Sequence, residues 1–213
     1  MKIDLENISR RYGREWIFRN LSYQFHSPEH YAITGPNGSG KSTLIKILSS
    51  SLSPTSGKIS FSSAVGVDAN REIKAIRTDE VFNHLGVAAP YLTLIEEFSL
   101  SEMIRFHMQF KKLLPSLDFN QIINLIGLQK HAAKRIHDFS SGMKQRVKLA
   151  LAVFFQNEMI LLDEPTMNLD ADGIKWYREM IRLFSQNRLL IIGSNQEHDF
   201  DFCNDWLAIE EYK

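Results

Sequence analysis

The stretch Gly35-Pro36-Asn37-Gly38-Ser39-Gly40-Lys41-Ser42-Thr43 constrains the fold more than any other part of this chain. Ahead of it, Tyr31-Ala32-Ile33-Thr34 is a short apolar run bounded by polar residues, and reads as a buried strand. Behind it, Leu44, Ile45, Ile47 and Leu48 recur at helical spacing. A glycine-rich loop joining a strand to a helix N-terminus is a phosphate cradle. Glycines let the backbone approach closely, and successive N–H groups with the positive helix end make an anion nest. Lys41 adds a point charge for the β- and γ-phosphates of a nucleotide, and the Ser42 hydroxyl is a ligand for Mg²⁺. A turn that merely happens to carry a lysine leaves both flanks unexplained.

The rest of the chain supplies the sheet around that loop. Met159-Ile160-Leu161-Leu162 and Leu189-Leu190-Ile191-Ile192 are continuous apolar runs, as central parallel strands are. Leu21, Tyr23 and Phe25 alternate with Ser22 and Gln24, predicting a half-buried strand before the loop. The stretch from Gly57 to Val87 is punctuated by Gly, Ser and Asn and reads as short strands. Met103, Phe106, Phe110 and Leu113 form a helical stripe that stops before Pro115, and Ile122, Ile123, Leu125 and Ile126 predict a second helix ended by Gly127. Both stripes read as helix core. Residues of roughly 90–150 are then a largely helical insertion between two parts of an α/β core. The 213 residues carry no internal repeat or obvious linker and fit one such unit.

A phosphate loop needs an acid at the end of a neighbouring strand, and Leu161-Leu162-Asp163-Glu164-Pro165 supplies one. Asp163 is the candidate metal holder, directly or through water, and Glu164 is placed to polarise a water attacking the γ-phosphate. A solvated strand end turning at Pro165 is the plain alternative.

In this order the motifs resemble those of the ATP-binding cassette (ABC) ATPases, over essentially the whole chain. Phe139-Ser140-Ser141-Gly142-Met143-Lys144-Gln145-Arg146 resembles the family signature, which binds the γ-phosphate held by the opposite subunit. Asn168-Leu169-Asp170 resembles the loop at the dimer seam, and Tyr12 falls where the family sets an aromatic ring against adenine. The signature also makes sense by itself: Ser140 is a good helix N-cap and Gly142 permits close backbone approach. The resemblance implies an α/β fold: a P-loop NTPase core with a mostly parallel central sheet, an N-terminal antiparallel β portion and a helical subdomain at about 90–150, residues 1–213 forming a single domain. It implies ATP and Mg²⁺ as cofactors. The ATP contacts would be Tyr12, Gly35 through Thr43, Ser140, Ser141, Gly142 and Asp170; the metal ligands would be Ser42 and Asp163, with Glu164 and Asn195 catalytic. It also implies a partner, either a second copy or a related ABC subunit.

Two positions depart from the family pattern. A histidine usually follows the last core strand, where Ile191-Ile192-Gly193-Ser194-Asn195 puts Asn195; an amide can hydrogen-bond phosphate but cannot take up charge. His198, three residues on, reads as a surface residue of the next helix. The glutamine that usually leads from core to helical subdomain aligns with Pro90, which offers no side-chain ligand and stiffens the hinge. These departures predict normal ATP binding with slow hydrolysis, or hydrolysis more dependent on a partner.

Composition narrows the partners. Lys plus Arg equals Asp plus Glu at 25 each, which argues against nucleic acid. The seven histidines show no metal-ligand spacing, and the lone Cys203 fits a reducing compartment or a small buried side chain. The charged N-terminus lacks a signal-peptide core, and no apolar run spans a bilayer. The leading expectation is therefore a cytoplasmic subunit, peripheral on the inner membrane face, driving a separate transmembrane permease that docks at Pro90 to Leu114. The other expectation is a soluble ABC ATPase acting as a nucleotide-gated interaction switch. The hundred or so residues between the two ATP motifs carry no heptads, which disfavours the chromosome-maintenance relatives, and a single cassette disfavours the translation-factor ones. A GTPase or kinase would leave the signature without a role.

Overall fold

The continuous apolar runs become neighbours in one sheet that is buried on both faces. In the computed structural model, which describes residues 1–65 and 72–213, five parallel strands lie in the order β6-β7-β8-β3-β9: Leu85–Ala88, Met159–Asp163, Leu189–Gly193, His30–Thr34 and Asp205–Ala208. Register is tight at the centre, with Leu161 opposite Ile191 and Ala32 opposite Ile192. Alternation sends Ile160, Leu162, Leu190 and Ile192 into one apolar cluster and Met159, Leu161, Leu189 and Ile191 into another. Strands β7 and β8 therefore have no solvent face, which is why their sequences show no polar alternation.

The second cluster is closed by an antiparallel sheet in the order β2-β1-β4-β5, formed by Glu15–His26, Lys2–Tyr12, Ser56–Val65 and Glu72–Ile76. Leu21 and Phe25 point inward from β2, as their alternation predicts, together with Ile3 and Leu5 of β1 and with Leu44 and Ile45 of helix α1 (Lys41–Leu48). The Gly57–Val87 stretch yields β4, β5 and β6; its residues 66–71 lie outside the described part.

The first cluster is closed by helices. Between β6 and β7 stand α2 (Leu100–His107), α3 (Phe119–Ile126) and α4 (Ser141–Val153), and α5 (Ala171–Phe184) precedes β8. Reciprocal capping boxes start α2 (Ser99 with Glu102) and α3 (Asp118 with Gln121), and Gly127 ends α3 at φ 77°.

One helical expectation fails. The stripe Met103-Phe106-Phe110-Leu113 is not a single helix: α2 ends at His107, and Phe110 and Leu113 lie beyond it. Met103 is buried, whereas Phe106 and Phe110 stack edge-to-face at the surface, Phe110 being 70% exposed. The cause is Lys111, whose ammonium reaches the Leu85 carbonyl and Asn157 Oδ1, while Leu113 bridges to Phe155. Those contacts draw the chain back to the sheet edge and out of helical register.

Candidate functional site

The carboxyl ends of β3, β7 and β8 converge where the glycine loop turns into α1. The loop is held open by backbone conformations closed to most residues. Gly40, the N-cap of α1, has φ 113°, and a Cβ there would sit 2.6 Å from Ile17 Cγ2. Lys41 is buried beneath the loop, donating to the carbonyls of Gly35 (2.8 Å) and Pro36 (3.2 Å), with its ammonium 3.5 Å from Glu164 Oε1. Cation, glycine loop and helix N-terminus are thus held against one another, the set of groups needed to grip a polyphosphate.

Asp163 ends β7 fully buried, and neither of its carboxylate oxygens has a hydrogen-bond partner. Burial raises its carboxyl above the usual carboxylate range, opposed by the Ser42 hydroxyl and by the Lys41 and Lys46 ammoniums. An orphaned buried carboxylate beside a hydroxyl is a hard oxygen donor set, which fits Mg²⁺.

Glu164 adopts φ 46°, a left-handed conformation that costs a non-glycine residue about 1–2 kcal/mol. Its N–H donates to the Gly193 carbonyl at 2.8 Å, pinning the acid to the end of β8. Its carboxylate lies between Lys41 and the Ser194 hydroxyl, which donates to Oε2 at 3.1 Å. Asn195, next along, donates from Nδ2 to Asn37 Oδ1 at 3.2 Å, so the residue after the last loop-flanking strand does touch the glycine loop. Asn37, Glu164, Thr166, Asn195 and His198 line one cavity of about 470 Å³. His198 is therefore more than the surface residue its sequence suggests: in a short 3-10 turn it pairs through Nε2 with Thr166 Oγ1 at 3.0 Å.

The signature segment builds a different cavity. Ser140 caps α4 by accepting from the Met143 amide at 3.2 Å, and Asp170 caps α5 by accepting from the Gly173 amide at 2.7 Å. Ser140, Ser141, Gly142, Arg146, Asn168 and Asp170 line a space of about 470 Å³. None of the signature residues lines the Glu164 cavity; Leu169 alone borders both. Gly142 is required here, because a Cβ would stand 2.9 Å from the Asn168 carbonyl oxygen.

Tyr12 closes β1 half exposed, with the Arg10 guanidinium 4.6 Å from its ring centroid. Pro90 follows β6 after the buried Ala89, and borders a smaller cavity with Ser141, Lys144 and Gln145. The next residue, Tyr91, lies under the Lys46 ammonium of α1 at 4.1 Å. Sequence reasoning missed Ser194 and Asp199: the Ser194 Oγ also lies 2.6 Å from Asp199 Oδ2. Only the position of Ser194, directly after an apolar strand, hinted at it.

The chain is similar to known proteins along most of its length. Residues 18–167 match the family model described as ABC transporter. The chain is 30% identical over 210 residues to a lantibiotic transport ATP-binding protein of Streptococcus pyogenes, covering 94% of this chain and 84% of that protein. It is 27% identical over 218 residues to the Nod factor export ATP-binding protein I of Rhizobium leguminosarum bv. viciae, covering 98% and 66%. In fold it is similar to a putative ABC transporter ATP-binding protein from Pyrococcus furiosus (TM-score 0.79, 19% identity, all of both chains). It is likewise similar to a dimeric bacterial ABC transporter cassette (TM-score 0.77, 20% identity, 98% of this chain and 95% of that one).

Proposed function

The chain belongs to the ABC transporter family, and from that premise we propose that it is the ATP-binding and ATP-hydrolysing subunit of a transporter, closing as a dimer around two ATP molecules to drive a separate permease. The observation that carries this reading is the separation of the two cavities. Asn37 of the loop and Glu164 face one, and Ser140 to Gly142 face the other, with residues 167–170 between them. A γ-phosphate bound by the loop of one copy is completed by the signature of a second, so ATP holds the two copies together.

Within each site the glycine loop and Lys41 bind the β- and γ-phosphates, and the half-exposed Tyr12 ring is the surface for adenine. Ser42 and Asp163 would hold Mg²⁺, which neutralises phosphate charge when bound. Glu164 orients the attacking water and accepts its proton. Asn195 can donate to a γ-phosphate oxygen but cannot bring positive charge, and Pro90 brings no side-chain donor, so turnover is slow. The segment at about 90–150 is the helical subdomain. Its exposed Phe106 and Phe110, stacked edge to face, are the apolar contact for the permease. Among the described residues no helix is long and apolar enough to cross a membrane.

Glu164→Gln tests the sandwich. It removes the proton acceptor and leaves the loop intact, so light scattering in MgATP should find a dimer that persists. A variant that stays monomeric at saturating ATP overturns the reading.

A further inference from the structure

Ser194 is wholly buried and its hydroxyl touches two carboxyl groups at once, Glu164 Oε2 at 3.1 Å and Asp199 Oδ2 at 2.6 Å. It also accepts the Gln196 amide at 3.0 Å. One hydroxyl has one hydrogen. It cannot make a full hydrogen bond to both acids, and a proton on one carboxyl would satisfy both contacts.

The surroundings decide which. Asp199 is 1% exposed, and its second oxygen, Oδ1, has no hydrogen-bond partner. Among the described residues its one ion-pair neighbour is His198, 3.7 Å away from Oδ1 and already engaged with Thr166. From α5, Tyr177 donates to the Asp199 carbonyl rather than to its side chain, and Arg178 is taken up by Asp201 and the His198 carbonyl. Glu164 faces it only through Ser194, and Glu164 has the Lys41 ammonium at 3.5 Å. A buried carboxylate without a firm cation is costly, and burial indeed raises the Asp199 carboxyl above its usual range, against Ser194, Thr166 and His198.

We infer that Asp199 and Ser194 are positioning residues for Glu164: Asp199 carries the proton and donates to Ser194 Oγ, and Ser194 turns its own hydrogen to Glu164 Oε2, fixing the carboxylate over the attacking water. The inference rests on Glu164 acting on that water. The arrangement gives this chain an orienting contact on the acid itself, beside a position where Asn195 supplies no charge.

Infrared spectra and steady-state kinetics of the purified chain test it. At pH 7 the chain should show the carbonyl stretch of a buried protonated carboxyl, and Asp199→Asn should remove it. The amide of that variant still donates to Ser194, so its kcat should stay within about twofold while the fall in kcat at alkaline pH disappears. Ser194→Ala should lower kcat about tenfold with KM for MgATP unchanged, and Ser194→Thr should restore it. A missing band, a carboxyl band left unchanged in intensity by Asp199→Asn, or undiminished turnover in Ser194→Ala overturns the inference. Thermal melts of each variant separate lost folding from lost positioning. The infrared result is independent of the dimer assay on Glu164→Gln, so failure of the sandwich and failure of the relay are told apart.

Discussion

Gly40 and Gly38 lie two residues apart in the same loop, and replacing each with alanine separates two physical costs. Both have positive φ, 113° and 80°. At Gly38 an added Cβ meets nothing within 4 Å, so Gly38→Ala carries backbone strain alone, about 1–2 kcal/mol. At Gly40 the backbone lies further from any conformation alanine tolerates, about 2–3 kcal/mol. The new methyl would also stand 2.6 Å from Ile17 Cγ2 and 3.3 Å from Ile209 Cδ1. Ile17 is β-branched and half-buried on β2, so it cannot swing clear, and overpacking adds about 1–3 kcal/mol. Gly40→Ala should therefore cost about 3–6 kcal/mol. For a chain of this size that is a Tm loss of about 6–24 °C, against about 2–8 °C for Gly38→Ala. Differential scanning calorimetry without nucleotide measures both. If the two variants melt together, the clash with Ile17 does not exist and the loop is not seated on β2 as described.

Asn195→His should raise steady-state ATPase about threefold to tenfold, because an imidazolium adds charge where the amide offers only a hydrogen bond; no gain would overturn the proposal that Asn195 slows turnover. Phe110→Asp, at a largely exposed side chain, should leave the melting curve unchanged yet abolish co-purification with membranes, and retained membrane association would move the permease contact elsewhere. Burial lowers Lys111 from its ordinary 10.5 to about 8 in the folded chain. Between those values the unfolded chain binds the extra proton, so Lys111 makes stability rise with pH from about 8, until the buried Cys203 thiol, raised from 9 to about 12, opposes it above about 9. Urea midpoints should show that rise, and Lys111→Met should flatten it; an unchanged slope would mean that Lys111 is not buried as described.

What could be read from sequence was what short-range physics decides. The glycine loop announced itself because its strand, turn and helix are contiguous, and β7 and β8 because burial on both faces leaves an unbroken apolar run. Ser140 and Gly127 were legible as a cap and a stop, since capping acts within one turn. The stripe ending at Leu113 misled because Met103 and Phe106 are truly helical. What ends α2 is an ammonium reaching back to Leu85 and to Asn157, and no periodicity encodes such a reach. Likewise Ser194 stands thirty positions from Glu164, and His198 more than thirty from Thr166. Only the parallel pairing of β7 with β8, Asp163 opposite Gly193, brings these side chains together.

Residues 167–170 are a party wall. On one side lie Glu164 and the glycine loop, on the other Ser140 to Gly142, and the wall has no slack where Gly142 meets the Asn168 carbonyl. The signature helix cannot shift toward that partition without displacing it, and the partition cannot shift without altering the room around Glu164. In a closed pair of copies each chain presents one face of the wall to each nucleotide. Two ATP molecules bound in such a pair would have one partition in common, touched by the signature helix at the Asn168 carbonyl and, through Gln145, at the Pro165 carbonyl beside Glu164.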